Sequence, residues 1–460
     1  MTEYLPDPRI IELGPDFFDP VEPAQFPAAI PRFLNRRWAK KVGLALQPNE
    51  WERHFQRFEP LPENLPEHLA LRYHGHQFRV YNPDIGDGRG FLFAQLRDRD
   101  GRLLDLATKG SGRTPHSRSG DGRLTLKGGV REVLATEMLE ALGVNTSKTF
   151  ALFETGEKLQ RNDEPSPTRS AVLTRLGHGH IRIGTFQRLA FLDDRPAIAA
   201  LARYTLGNLY SDAVDDNDKE NAHRLFTLAS AATAKLAASY LAAGFVHGVL
   251  NSDNINVTGE SFDYGPWRFA TVWDESFVAA YFDQNALYAF GVQPEAIHWD
   301  LAQLAGCLSL IADRERLEAE LQDWGSLFQD ALVAALVDRL GISPSPNDLP
   351  LASAILAALR TRLMTIDRFF FDWRGGRIPS DTLYSDKMFD PLRTALAGRS
   401  GAPDALSHDY WNDDGPCSMA IDEVEAIWAR IVDDDDWSNF DAKVAAIRRM
   451  GAAMRGSLTS

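Results

Sequence analysis

The stretch "LLDLATKGSGRTPHSRSGDGRLTLKGGVREVLATEMLEALGV", residues 103–144, joins two kinds of periodicity through a glycine- and arginine-rich loop. Its first seven residues read as a strand ending on Lys109, and Asp100-Gly101 just before it suits a hairpin turn. Further on, Leu126, Val130, Val133, Leu134, Met138 and Leu142 recur at steps of three and four. Gly143 is a natural stop, so a helix is expected over 126–144. Glu132 sits near the start of that helix, at the edge of its apolar stripe and 23 residues after Lys109. Two readings compete for this pair. Glu132 orients Lys109 at a site, or the two form a plain surface ion pair worth under ~1 kcal/mol.

Working outward, "FRVYN", "FLFAQLRD", "TFALFE" and "SAVLTRL" are further strand candidates, with the glycine-rich "DIGDGRG" between the first two. Residues 1–70 are punctuated by proline and carry short helical pieces such as "RFLNRRWAKKVGLAL". From 186 onward the chain reads as mainly helical. The Ala-rich run 221–245 has the profile of a buried helix, and helical segments are expected in 295–339, 350–373 and 420–454. Asp433–Asp436 reads as a solvated helix end without function. The expected architecture is α+β with two lobes. Residues 1–70 form a wrapping segment, 71–190 a strand-rich lobe, 191–340 a helical lobe and 341–460 a C-terminal helical extension. Ligands favour the cleft between such lobes.

Composition narrows the function classes. Of 460 residues, 44% are hydrophobic and 25% charged, as in soluble globular proteins. The net charge of −15 repels a phosphate backbone, so no nucleic-acid partner is expected. Cys307 and Cys417 read as two buried thiols rather than a disulfide framework or zinc site. No run reaches the ~18 apolar residues of a membrane span. The start of the chain resembles neither a secretory signal nor a transit peptide, so a cytoplasmic monomer without a membrane partner is expected.

The chemistry-bearing residues fall into two groups. In the helical part, "HGVLNSDN" ends on Asn254, and Asp263 of Asp-Tyr-Gly follows nine residues later. An amide and a carboxylate at the ends of a short hairpin make a plausible Mg²⁺ pair, since that ion takes one or two carboxylates and completes its shell with phosphates and water. The order resembles the protein kinases, in which a catalytic-loop Asn and the Asp of Asp-Phe-Gly hold metal, and a strand lysine pairs with a helix glutamate. The strand-rich part supplies Lys109, Glu132 and "GDGRG" (86–90), whose amides and Arg89 suit phosphates. A glycine-rich hairpin remains the plainer reading of that loop. One position departs from the kinase pattern. Val249 stands where the catalytic aspartate belongs, and the carboxylate at hand is Asp253, four residues later.

The blocks "YHGHQF" (73–78), "GDGRG", "KGSGRTPHSRSGDGR" (109–123), "VREVLATEM", "LTRLGHGHIRIGTFQ" (173–187) and "GFVHGVLNSDNINVTGESFDYGP" (244–266) resemble the selenoprotein O family of kinase-like proteins. The resemblance implies a protein adenylyltransferase that binds ATP reversed and moves AMP onto Ser, Thr or Tyr hydroxyls of protein substrates. It implies Gly86, Gly88 and Arg89 at the phosphates, Lys109 near the buried γ end, and nucleotide contacts from Asp121 and Gly122. Arg175 and Arg182 would form the extra basic pocket, Asp253 the general base, and Asn254 with Asp263 the Mg²⁺ or Mn²⁺ ligands. An otherwise acidic chain gathers Arg89, Lys109, Arg113, Arg118, Arg123, Arg175 and Arg182 within one hundred residues, as a buried triphosphate requires. His116 stands where the family usually has Tyr, Arg79 where Gly is usual, and the C-terminal tail lacks the family's redox cysteine. The alternatives are a phosphotransferase using Asp253 as base and a non-catalytic nucleotide-binding pseudokinase.

Overall fold

The computed structural model describes residues 3–455; the last residues of the tail lie outside that range. The first part of the chain builds a sheet. Its strands are β1 (Phe18–Val21), β2 (Ile30–Leu34) and β3 (His68–Leu71), then a small separate hairpin, β4 (Gly75–Gln77) with β5 (Val80–Asn82). There follow β6 (Leu92–Arg97), β7 (Leu103–Lys109), β8 (Leu124–Thr125), β9 (Lys148–Leu159) and β10 (Thr168–Gly177). The main sheet runs in the order β1-β3-β6-β7-β10-β9-β2, with β8 beside β10, and its neighbours pair antiparallel. Residues 1–70 are therefore more than a wrapping segment. They supply the strand at each edge of the sheet and two short helices, α1 (Arg36–Lys41) and α2 (Pro48–Phe55).

Side-chain alternation gives the sheet two different faces. Phe91, Phe93, Leu104, Leu106, Phe150, Phe153 and Val172 pack with Trp51 and Phe55 of α2 on one side. Leu92, Leu103, Leu152, Ala171 and Leu173 face the other core, shared with α3 (Leu126–Ala141). Since 103, 105, 107 and 109 share a face, as do 171, 173 and 175, the alternation sends Lys109 and Arg175 to the α3 side. Leu173 pairs directly with Lys109 in the β7–β10 register. Lys109 thus ends a central strand of the sheet. Thr125 caps α3 by accepting from the Gly128 amide, and left-handed Gly143 (φ +81°) follows its end.

The rest of the chain is mainly helical, apart from a short antiparallel pair, β11 (Phe245–Val246) with β12 (Arg268–Phe269): α4 (Ile183–Phe191), α5 (Arg195–Tyr204), α6 (Asp218–Ala243), α7 (Gln293–Leu308), α8 (Arg314–Gln322), α9 (Trp324–Leu340), α10 (Leu349–Arg360), α11 (Ile366–Asp372), α12 (Asp390–Leu396), α13 (Ile421–Asp434) and α14 (Ser438–Arg455). The architecture is α+β. Helix α6 is long and apolar enough to cross a membrane by length and composition, against the sequence expectation, but its apolar window is 67% buried within the protein. It packs on α5, α7 and α9, as a core helix does. Helix α14 returns to lie on α3, where Arg448 pairs with Glu137 at 2.7 Å. Asp435 is more than a solvated helix end: it pairs with Arg32 (3.0 Å) and Arg169 (2.7 Å) and so ties the end of α13 to the sheet. Cys307 is buried and Cys417 half-buried; both thiols are free.

One close approach fixes the loop before β6. A methyl group on Gly90 would stand 2.1 Å from the Thr108 carbonyl oxygen, a rigid backbone atom beside Lys109. Gly90→Ala should therefore cost about 1–3 kcal/mol through overpacking, read as a lowered midpoint in denaturant unfolding with an unchanged slope.

Candidate active site

Between the sheet and the segment 253–263 lies a cleft of about 620 Å³. Gly86, Gly88, Arg89, Lys109, Asp121, Gly122, Arg175, Arg182, Asp253 and Asp263 all line it. Glu132 lies behind Lys109, and Asn254 reaches the cleft through Asp263. Arg113 is exposed and outside the lining, whereas Arg161, unremarked in the sequence, joins it. Seven lining cations (Arg89, Lys109, Arg118, Arg123, Arg161, Arg175 and Arg182) face four lining carboxylates (Asp87, Asp121, Asp253 and Asp263), a formal excess of three. In a chain of net charge −15 this excess is local and marks the cleft for an anionic ligand.

The floor is a buried charge network. Lys109 Nζ donates to Glu132 Oε2 at 2.6 Å and lies 3.0 Å from Asp263 Oδ1. Arg175 lies 3.5 Å from Asp263 and 3.8 Å from Glu132. Arg182 pairs with Asp87 at 3.2 Å, donates to the Asp253 backbone carbonyl at 2.8 Å and stands 3.9 Å from Asp263. Its guanidinium lies over the rings of Tyr73 (4.3 Å) and Phe262 (4.7 Å). Lys109, Glu132, Arg175 and Arg182 are each at most 5% exposed, which excludes a plain surface ion pair for Lys109 and Glu132. Tyr73, Asp87 and Phe262 lie inside the family-like motifs but carry no local signal of their role, which is to pack on or pair with Arg182.

The two aspartates differ because their surroundings do. Burial works to raise the pKa of Asp263, but Lys109, Arg175, Arg182 and Arg89 outweigh it and hold the carboxyl well below its ordinary value. It stays ionised, in a left-handed backbone conformation (φ +64°), and accepts from Asn254 Nδ2 at 3.2 Å. Asp253 is the opposite case. Burial pushes its pKa up to about 6, with nearby Asp263 adding to the rise and Arg182 opposing it. Among the described residues its Oδ1 has no protein hydrogen-bond partner. A carboxylate that is buried, unpaired and titrating near neutrality is suited to accept a proton.

The glycine loop is not a hairpin. Residues 85–90 lie between β5 and β6 without strand pairing. A methyl on Gly86 would meet the His116 ring at 2.5 Å, and one on Gly88 would meet the His116 carbonyl oxygen at 2.9 Å. This loop and the 110–122 loop thus close on one another, and His116 is anchored from behind by Asp19 at 2.9 Å.

Comparison with known proteins gives this geometry a class. Residues 2–391 match the family described as Protein adenylyltransferase SelO. Among curated relatives, the protein nucleotidyltransferase YdiU of Synechocystis sp. is 38% identical over 96% of this chain and 97% of its own length. That of Gloeobacter violaceus is 39% identical over 96% and 95%, and that of Synechococcus elongatus 45% identical over 73% and 68%. The chain that carries this charged cleft is thus a protein nucleotidyltransferase. Within that class, the chain belongs to the SelO family of protein adenylyltransferases.

Two outcomes test the network. Lys109→Ala removes one partner of a buried pair and should cost about 3–5 kcal/mol; adding Glu132→Gln should restore part of it, measured by denaturant unfolding. Asp253→Asn should act the other way. Because the folded protein holds the Asp253 proton up to about pH 6, against 3.8 ordinarily, its stabilising contribution is complete below pH 4. That contribution fades as pH rises through 6. A shift of about two units corresponds to about 3 kcal/mol, so the asparagine variant should gain stability over wild type from pH 4 to pH 8. Thermal unfolding without nucleotide or metal reads this, and a pH-independent difference would contradict it.

Proposed function

We propose that this protein moves AMP from ATP onto Ser, Thr or Tyr hydroxyls of acceptor proteins, with ATP reversed so that its γ end is buried. The observation that carries this reading is the placement of three deeply buried cations, Lys109, Arg175 and Arg182, on the cleft floor beside a free carboxylate oxygen of Asp253. Terminal phosphates left unpaired at such depth would be strongly unfavourable, and the two arginines can offer bidentate forks to phosphate oxygens. We read the whole as a protein-kinase-like fold, with the sheet and α3 as one lobe and the helices from α4 onward as the other.

In this reading Gly86 and Gly88 let the loop backbone approach the phosphates, Arg89 adds charge, and Asp121 with Gly122 contacts nucleotide at the rim. Glu132 orients Lys109. The acceptor oxygen bonds to the α-phosphorus, the bond from that phosphorus to the bridging oxygen of the β-phosphate breaks, and pyrophosphate departs with the electron pair. Asp253 takes the hydroxyl proton. Lys109, Arg175 and Arg182 stabilise the charge that develops on pyrophosphate.

The donor set fits Mg²⁺ or Mn²⁺ held by Asn254 and Asp263. Asp263 is kept ionised, and a half-turn of the Asn254 amide would set its oxygen beside that carboxylate. No group of three or more His, Cys, Asp or Glu among the described residues forms a fuller cage, in keeping with an ion that also takes phosphate oxygens. Such an ion, when bound, would offset phosphate charge.

ATP labelled at the α position should pass its label to protein, and ATP labelled at γ should not. Transfer from γ would replace this reading with phosphotransfer, and transfer from neither would favour a non-catalytic nucleotide binder. Arg175→Ala should weaken ATP by about 10–100-fold, the loss of charged hydrogen bonds, yet AMP by less than about threefold. Calorimetry with ATP, ADP and AMP reads this; an equal loss for all three would remove Arg175 from the terminal phosphates.

A further inference from the structure

The β4–β5 hairpin turns at Phe78-Arg79, and both residues have left-handed backbones, with φ of 52° and 63°. Two successive non-glycine residues in that region, one of them a bulky aromatic, persist only where the surroundings hold them. Here the holding groups come from the segment that carries Asp253. The Phe78 amide donates to Asn251 Oδ1 at 2.9 Å, and the His76 amide donates to Ser252 Oγ at 2.7 Å. The Tyr288 hydroxyl donates to the same Asn251 oxygen at 2.6 Å. At the foot of the hairpin, a methyl on Gly75 would lie 3.1 Å from Asp253 Cβ.

The hairpin also separates two surfaces. Gln77 lines the nucleotide cleft. The adjacent Phe78 ring instead packs on Tyr288 (5.2 Å) and Phe282 (6.0 Å), and Phe282 meets Tyr281 at 5.2 Å. This cluster is left in solvent: Phe78 is 38% exposed, Phe282 43% and Tyr281 84%. Neighbouring exposed aromatics are unusual away from a binding surface, and aromatic residues dominate the energetics of protein contacts.

We propose that Phe78, Phe282 and Tyr281 form a platform for an extended segment of the acceptor protein, which places a bulky apolar side chain there. The inference rests on the proposed transfer at Asp253. The occupant follows from position, since the family's activity brings a protein to this cleft and the platform is hydrogen-bonded to the segment that holds Asp253. From Gly75 to Phe78 is three residues, about 10 Å of extended chain. The apolar side chain therefore lies two or three residues from the modified hydroxyl.

The test uses the full chain and two peptide probes. One is a ten-residue peptide with lysines at its ends, a single tyrosine and a phenylalanine two residues away; the other has alanine in place of that phenylalanine. Calorimetry should show at least tenfold tighter binding of the phenylalanine peptide to wild type. Phe78→Ala and Tyr281→Ala should each erase most of that preference. Tyr281, being almost wholly exposed, can be changed without loss of the fold, and an unchanged melting temperature checks this. Equal binding of the two peptides by wild type, or a preference retained in both variants, overturns the platform. If the binding pattern holds but no label passes from α-labelled ATP to tyrosine, the transfer reading fails while the platform stands.

Discussion

The contact between Lys109 and Glu132 is the constraint on which the rest of the cleft depends. Two charges almost out of reach of water are tolerable only when each has a partner of opposite sign in good geometry. The 2.6 Å pair meets that condition for one oxygen of Glu132, while Asp263 and Arg175 extend the alternation of sign across the floor. The pair in turn requires that β7 end at one depth and α3 begin at another, so it fixes the sheet and helix relative to each other. Helix α14 braces the same arrangement from outside, through Arg448 on Glu137 one turn and a bit beyond Glu132.

A network of this kind works against stability at a carboxylate it leaves without an ion-pair partner. Asp253 is buried without a partner for Oδ1, and burial raises its pKa towards neutrality. A structure selected for stability alone would pair or replace this group. A group that is to accept a proton needs such an oxygen free, and the strain at Asp263, Phe78 and Arg79 is concentrated in the same neighbourhood. One of these departures, Asp263, lines the cleft, and hydrogen bonds from the backbone of the β4–β5 hairpin to Asn251 and Ser252 hold the Phe78-Arg79 turn in place beside it.

Electrostatics of the whole chain sharpen the site. A protein of net charge −15 would repel a polyanion almost anywhere on its surface. The formal excess of three cations among the cleft residues, with all seven lining cations within 89–182, makes that cleft the favoured place for a small anionic ligand.

The sequence by itself determined the elements and the chemical inventory. Period-two alternation in β7 and β10 and the three-to-four spacing in α3 were legible because one face of each is buried in a continuous core. The residues that converge on the cleft could be named because their spacing and their family motifs are local in the chain. The tertiary structure decided what depends on distant segments. It set β7 at the centre of the sheet, because β1 and β2, from the first 34 residues, occupy the edges. It turned Asp435 from a solvated charge into a tie to Arg32 and Arg169. It buried the long apolar α6 against other helices, and it put Tyr73 and Phe262 under one guanidinium. It also gave two aspartates ten residues apart opposite proton affinities. Burial and unequal access to the same cations separate them, and neither can be read from a sequence in which both are simply Asp.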